Sequence, residues 1–124
     1  MAEARIISAE AVPWSKPAGH VEAYSKYLVD PDRVATRHFD FRVSLYQPRG
    51  YAASHRHEAA EQIYYILRGT ALVTLDGTPH VLRAHDLAFI PPGVEHSISN
   101  SGFEDLVFVV VTSPPEAGSR GDDA

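Results

Sequence analysis

Apolar and polar residues alternate in short stretches along most of the chain, and turn-forming residues separate these stretches. In one of them, Phe39, Phe41, Val43 and Leu45 occupy every second position, so an extended strand there would have one apolar face. The pattern predicts strands at about 5–8, 36–46, 51–57, 61–67, 70–75, 80–83, 87–90, 95–99 and 105–112. The segment 22–29 fits either a helical turn or an irregular strand.

The residues between the predicted strands are those that form tight turns. Asp76 and Gly77 lie between two strand-like stretches, and this pair is typical of a type I′ hairpin, in which both central residues have positive φ. A further turn signal lies at 48–50. Many short strands at this spacing predict an all-β sandwich or barrel. We expect one domain over residues 1–115, and a small polar tail, 116–124, that is disordered.

Composition and charge exclude several classes of function. The 124 residues include 16 acidic and 11 basic side chains, and the net charge of −5 argues against a surface that follows nucleic-acid phosphates. Because the sequence has no cysteine, neither disulfides nor thiolate metal ligands can form. The longest apolar run, 106–111, is far shorter than the roughly 20 residues of a membrane-spanning helix, and the first residues show no signal-peptide pattern. We therefore expect a cytoplasmic protein without a membrane or nucleic-acid partner.

Two histidines two positions apart, His55 and His57, form the first candidate site. Residues two apart on a strand point to the same face, so both imidazoles would converge. Convergent imidazoles suit a divalent transition metal. A further histidine, His96, lies in a second stretch, 85–100, which is rich in turn residues and ends in an asparagine.

Together, the stretches 50–69 and 85–100 resemble the paired motifs of the cupin superfamily, whose members are small jelly-roll β-barrels. The first cupin motif has a glycine, an HxH pair, a glutamate and a second glycine, and the matching residues here are Gly50, His55, His57, Gln62 and Gly69. The second has a glycine, a PxGxxH segment and an asparagine, and the matching residues are His85, Pro91, Gly93, His96 and Asn100. The resemblance implies an all-β cupin jelly-roll barrel that holds one divalent transition metal through His55, His57, Gln62 and His96.

Two positions depart from the cupin pattern. Four residues rather than five separate Gly50 from His55, a difference that a loop can absorb. His85 stands where the second motif has a glycine, which usually supplies positive φ at a turn. Because histidine tolerates positive φ better than β-branched residues do, we expect His85 to be a surface turn residue and not a ligand.

The third-strand ligand is open between two neighbours, Glu61 and Gln62. Adjacent strand residues face opposite sides, so only one of them can point into the barrel. Alternation cannot decide between them, because the following residues, 63–67, are apolar on both faces. The spacing to Gly69 favours Gln62, and some cupins have glutamine at this position. We expect Glu58 to lie in a solvated loop.

A glutamine ligand would leave the charge of the metal uncompensated. Three neutral imidazoles and an amide oxygen carry no charge, whereas a glutamate would cancel part of the +2 charge. Such an ion polarises a carbonyl more strongly but is bound less tightly. Nitrogen and oxygen ligands without sulfur suit Fe, Mn, Ni, Cu or Zn, and the sequence does not choose among them.

Three residues outside the motifs could line the barrel and contact an anionic or polar ligand, namely Arg42, Tyr46 and Tyr64. In the alternative, Arg42 forms a surface ion pair and the tyrosines serve only packing. We expect the remaining histidines to be ordinary exposed or strand residues; they are His20, His38 and His80. Asn100 is expected to cap a turn.

The resemblance implies a metal-dependent enzyme that acts on a small oxygenated molecule, by isomerase or lyase chemistry or as a dioxygenase. No separate general acid or base is visible in the motifs. The alternative is therefore a non-catalytic module that binds a small ligand and has a structural or vestigial metal site. Small cupins commonly form dimers. The apolar last strand, 107–111, would pack against another layer, which could be a second subunit, and we expect Trp14 and Tyr27 to cover a sheet edge or a partner subunit.

Overall fold

The computed structural model describes residues 3–115, and β-strands dominate them. The strands are β1 (His20–Val29), β2 (Asp40–His55), β3 (Glu61–Arg68), β4 (Ala71–Leu75), β5 (Thr78–Leu82), β6 (Leu87–Ile90), β7 (His96–Asn100) and β8 (Leu106–Ser113). Within this range the helices are a 3-10 turn, Ala9–Ala11, and the single-turn α1, Pro31–Val34. The all-β prediction is confirmed, and 22–29 lies within an irregular strand rather than a helical turn.

The strands form one sheet in the order β5-β4-β7-β2-β8-β3-β6, and β1 pairs with β2. The sheet curls into a nearly closed barrel. β2 is long enough to belong to both halves of this barrel, because its first part, 40–46, pairs with β8 and its last part, 51–55, pairs with β7. β1 runs antiparallel to both parts.

Two predicted strands, 36–46 and 51–57, are in fact one. Residues 48–50 form an irregularity inside β2 rather than a hairpin, with Arg49 at a φ of 74°. The residues that favour tight turns also favour bulges, so the local pattern does not distinguish the two. The predicted strand at 5–8 is wrong: no described strand pairs with these residues, and Ile6 is 99% exposed.

Two turn predictions are confirmed by the backbone. Asp76 and Gly77 connect β4 to β5 with φ values of 46° and 82°, as a type I′ turn requires. His85 has a φ of 75° and is exposed, and its Nδ1 lies 2.9 Å from the hydroxyl of Tyr65. It is therefore a turn residue on the surface.

The apolar face of β2 points away from the barrel interior. Asp40, Ser44 and Tyr46 are buried, whereas Phe41 and Val43 on the opposite face are only partly buried. The apolar interior comes mainly from the other strands, with buried residues that include Ile66, Val73, Ile90, Ile98, Leu106 and Phe108. Because β2 turns polar side chains inward, hydrogen-bonding groups line part of the barrel interior.

Within residues 3–115, no helix has the length and apolar character needed to span a membrane. The tail predicted to be disordered, 116–124, lies outside the described residues.

Candidate metal centre

A bulge near the end of β2 determines where His55 points. Ala52 pairs with Ile98, and His55 pairs with His96, so three steps along β2 match two steps along β7. Ile98 and His96 are both buried inside the barrel. Since cross-strand partners share a face, the extra residue brings His55 to the inward side, together with Ala52.

The three motif histidines meet inside the barrel. One possible ligand atom from each of His55, His57 and His96 lies within 4.8 Å of the others. The ring centroids are 4.3 Å apart for His55 and His96, and 4.9 Å apart for His55 and His57. The backbone N–H of Gly93 donates to the carbonyl oxygen of His57 over 2.8 Å, which ties the second motif to the first. The histidine part of the predicted ligand set is thus assembled as one cluster that could hold a metal ion.

Backbone carbonyls orient two of these imidazoles. Nδ1 of His55 lies 3.0 Å from the carbonyl oxygen of Ala53, and Nδ1 of His96 lies 2.9 Å from that of Val94. A carbonyl only accepts hydrogen bonds, so each Nδ1 carries the proton and each Nε2 presents a lone pair. This arrangement is typical of histidines that bind metals through Nε2.

His96 is held in the neutral form that a ligand requires. Burial lowers the pKa of His96 to about 4, and the hydrogen bond to Val94 opposes this shift only in part. The neighbouring imidazoles of His55 and His57 also lower this pKa. Nε2 of His96 is shielded from solvent and has no hydrogen-bond partner within the described residues. A buried lone pair without a partner is costly unless a cation or a donor reaches it, so a metal ion fits this atom.

Gln62 and Glu61 lie on opposite faces of β3. Gln62 is 2% exposed, whereas Glu61 is exposed. The Gln62 amide donates from Nε2 to Oγ1 of Thr112 over 2.9 Å, so the amide nitrogen is engaged and Oε1 points elsewhere. Oε1 is also shielded and has no hydrogen-bond partner among residues 3–115. The amide oxygen is thus a second buried acceptor that a cation would fit. Glu58 is exposed, in a bend before β3.

Thr112 was not among the residues singled out from the sequence. Its relation to Gln62 depends on β3 and β8 being paired with these two residues opposite each other. Fifty positions separate them along the chain, and no local pattern indicates such a pairing. A threonine at the end of an apolar strand is the only signal that the sequence offers.

The three predicted pocket residues lie in the same barrel. Tyr46 and Tyr64 are buried, and the ring of Tyr64 lies 6.1 Å from that of His96. Burial raises the pKa of Tyr64 to about 12, and the charge of Arg42 opposes this shift. Burial likewise raises the pKa of Tyr46 well above its ordinary value. Both hydroxyls therefore keep their protons at neutral pH and can donate hydrogen bonds.

Arg42 is partly buried and is held by Tyr27. Its Nη1 donates to the Tyr27 hydroxyl over 2.9 Å, and its guanidinium carbon lies 5.3 Å from the centre of the Tyr27 ring. Burial alone would lower the pKa of Arg42, but Tyr27 and Asp40 outweigh it and raise the pKa. Nε is shielded and has no hydrogen-bond partner in the described part of the chain. The prediction that Tyr27 covers a sheet edge or a partner is wrong, because Tyr27 is 1% exposed inside its own barrel.

The other predicted positions lie outside the histidine cluster. Asn100 donates from Nδ2 to the carbonyl oxygens of Tyr46 and Glu104, and its Oδ1 accepts from the backbone N–H of Gly102, so it caps a turn as expected. His38 and His80 are exposed. His20 is a strand residue, also as expected, but it is only partly exposed.

Comparison with known proteins agrees with this geometry. The family model for the Cupin domain matches residues 42–112, which include all three clustered histidines and Gln62. The chain belongs to the cupin family. The predicted jelly-roll barrel and the family resemblance are therefore confirmed.

Three of the matching proteins show which kinds of protein this cupin is similar to. An oxalate-binding protein of Thermotoga maritima is 38% identical over 64 residues, which cover 52% of this chain and 53% of that protein. Dimethylsulfoniopropionate lyase DddW of Ruegeria pomeroyi is 33% identical over 104 residues, covering 82% of this chain and 67% of the lyase. A crystal structure from Thermotoga maritima, described as a predicted oxalate decarboxylase, has a TM-score of 0.79 and 25% identity, and the match covers 89% of this chain and 99% of that one. The first curated relatives are matched over only about half of their length.

Proposed function

We propose that this cupin is a metal-dependent enzyme that acts on a small carboxylate-bearing molecule by lyase or isomerase chemistry. Two observations carry the proposal. Nε2 of His96 clusters with the His55 and His57 imidazoles, and this atom and Oε1 of Gln62 are shielded acceptors without a hydrogen-bond partner among residues 3–115. These four side chains would hold one divalent transition metal such as Fe, Mn, Ni, Cu or Zn.

The proposed ligand set has no charge of its own. A divalent ion held by imidazoles and an amide would supply strong Lewis-acid polarisation of a carbonyl or carboxylate oxygen. Such polarisation acidifies the hydrogen on the neighbouring carbon, and eliminations and isomerisations both begin with removal of that hydrogen. The similarity to a dimethylsulfoniopropionate lyase supports the lyase form of the proposal.

Arg42, Tyr46 and Tyr64 would bind and orient the substrate. The guanidinium stays charged, and its Nε–H donor has no hydrogen-bond partner among residues 3–115. The tyrosines keep their protons at neutral pH. Cationic and neutral donors of this kind suit a carboxylate.

A second candidate function is ligand binding without catalysis, which the similarity to an oxalate-binding protein favours. In that case the same cluster would hold a metal that only anchors a dicarboxylate. The two functions differ in turnover and not in binding, so a binding assay alone cannot separate them.

Elemental analysis of protein purified without a chelating tag is the first test. We expect close to one transition-metal ion per chain, and the loss of this ion in His55→Ala and His96→Ala. Screening the loaded protein against dimethylsulfoniopropionate and small hydroxy and keto acids then tests turnover. Protein that stays metal-free after incubation with all five metals would contradict the metal site. Loaded protein that binds oxalate but converts nothing would favour the binding module.

We also propose a cytoplasmic homodimer that forms through the outer face of β2, β8, β3 and β6. Val43, Val109 and Ile63 on this face are only partly buried, and Leu87 and Phe89 at its edge are 54% and 53% exposed. An apolar sheet face of this kind is typical of an interface between subunits.

A further inference from the structure

The strand β1 has an irregularity that turns His20 into the barrel. Val21 pairs with Tyr51 and Ala23 pairs with Tyr46, so the register shifts around Glu22, whose φ is 50°. Ala23 is fully buried, and simple alternation from it would point Val21 inward. Val21 is instead 41% exposed, and His20 takes the inward position.

Gly50 makes this irregularity possible. A Cβ atom at Gly50 would collide with the carbonyl oxygen of Glu22 and would lie 2.8 Å from that of Gln47. The first glycine of the cupin motif is therefore the contact point at which β1 departs from regular pairing with β2. Bulges that re-aim a side chain are common next to active sites.

His20 stands close to the metal cluster but outside it. Its ring meets that of Tyr46 edge to face at 5.8 Å. The backbone N–H of Ala53 donates to the carbonyl oxygen of Gly19 over 2.9 Å, which joins the residue before His20 to the bulge that orients His55. The metal-ligating group found among residues 3–115 contains His55, His57 and His96, and it does not include His20.

His20 uses the same orienting contact as His55 and His96. Its Nδ1 lies 2.9 Å from the carbonyl oxygen of Ala18, two residues earlier, so Nδ1 carries the proton and Nε2 presents a lone pair. Burial lowers the pKa of His20, the bond to Ala18 opposes this, and the charges of Arg42 and His55 lower it further. Among residues 3–115, the one hydrogen bond of the His20 ring is the contact of Nδ1 with Ala18. A neutral imidazole whose Nε2 is not hydrogen-bonded within this range, near the cluster and not part of it, has the properties of a general base.

We propose that Nε2 of His20 is the base that removes the proton from the carbon next to the substrate's carboxylate or carbonyl group. In an elimination, the C–H bond breaks and the proton goes to Nε2 of His20. The C–H electron pair forms the new C=C bond, and the leaving group departs with its own bonding pair. In an isomerisation, Nε2 returns the proton to a different carbon. This role rests on the proposed lyase or isomerase function and supplies the base that the motifs lack.

Two substitutions test the role of the Nε2 lone pair. His20→Asn keeps an N–H donor near the Ala18 carbonyl oxygen, and His20→Gln places an amide near the position of Nε2, so neither has a basic nitrogen. The matched control is His80→Asn, because His80 is exposed on β5. With loaded protein and dimethylsulfoniopropionate or another small carboxylate that the wild type converts, we expect kcat to fall about 100- to 10,000-fold in both His20 variants. KM and metal content should match those of the wild type and of the His80→Asn control.

Three results would overturn the inference, and they can be told apart. A wild type that neither converts such carboxylates nor exchanges their α-hydrogens in D2O removes the proposed function, and the base role with it. A converting wild type with equally active His20 variants removes only the base role. Loss of metal from both His20 variants would show a ligand or structural role instead.

A further test is independent of activity. At neutral pH, 15N NMR of the metal-free protein should show a neutral His20 protonated at Nδ1. An imidazolium or the Nε2–H tautomer would contradict the proposal.

Discussion

Thr112→Val removes the hydroxyl that orients the Gln62 amide, with almost no change in side-chain volume. Oγ1 of Thr112 accepts from Nε2 of Gln62 over 2.9 Å, and both side chains are buried. Without this acceptor, the amide loses its hydrogen bond in a shielded site, which should lower the free energy of unfolding of the metal-free protein by about 1–3 kcal/mol. The amide also loses the contact that distinguishes its nitrogen from its oxygen.

The same substitution should weaken metal binding. Loss of a hydrogen-bond partner behind a metal ligand typically costs about 10- to 100-fold in metal affinity, which corresponds to about 1.4–2.8 kcal/mol. Thr112→Ser is the matched control, because it keeps the hydroxyl and loses only a methyl group. Urea unfolding of the metal-free proteins measures the first effect, and competition with a chromophoric chelator for Zn measures the second.

The Zn affinities of the two Thr112 variants should differ in a fixed order. Thr112→Ser should bind Zn nearly as well as the wild type, and Thr112→Val should bind it distinctly less well. If Thr112→Val is less stable but binds Zn with unchanged affinity, then Gln62 does not need this orientation to hold the metal. In that case Oε1 of Gln62 is not a ligand, and the three histidines hold the ion without it.

Three further predictions test other parts of the molecule. Gln62→Glu adds a negative charge beside the ion, so a chelator competition should show tighter metal binding, and lyase or isomerase turnover should fall. The control Glu61→Ala should change neither metal binding nor turnover. Turnover that survives Gln62→Glu would instead favour a dioxygenase. Val109→Asp, on the outer face of β8, should convert a dimer to a monomer in light scattering, and a wild type that already has the mass of one chain would refute the dimer. Gly50→Ala forces a Cβ atom against the Glu22 carbonyl, so urea unfolding should show a loss of about 1–3 kcal/mol, whereas unchanged stability would mean that the bulge tolerates a side chain.

The histidine cluster could be predicted from the sequence because its information is local. His55 and His57 lie two positions apart, and His96 lies in a short motif with its own turn residues. Both motifs constrain the backbone through glycine and proline, so residue spacing alone indicates which side chains converge. The hairpin at Asp76 and Gly77 was predictable for the same reason, since its two residues determine the turn type.

The lining of the barrel could be predicted only in part, because it depends on bulges. Alternation along β2 correctly separates an apolar face from a polar one. An apolar face is the natural candidate for the interior of a barrel. In the structure, however, the polar face with Asp40 and Ser44 points inward. The irregularities around Glu22 in β1 and at 53–54 in β2 each change which positions face inward afterwards. A pattern with a period of two carries no record of such shifts. His20 therefore looked like an ordinary strand histidine, although a bulge directs it into the barrel.

The charges inside the barrel indicate what the loaded site would accept. Among the inward-facing residues described above, Asp40 and Arg42 carry opposite charges, and the negative charge of Asp40 contributes to the raised pKa of Arg42. The histidines would bind a metal in their neutral form, and Gln62 has no charge, so the interior is close to neutral before a metal binds. A divalent ion then adds +2 that no side chain of the proposed ligand set offsets. A buried charge is costly until an opposite charge pairs with it. The loaded barrel should therefore select anions, and a dicarboxylate would supply the missing charge.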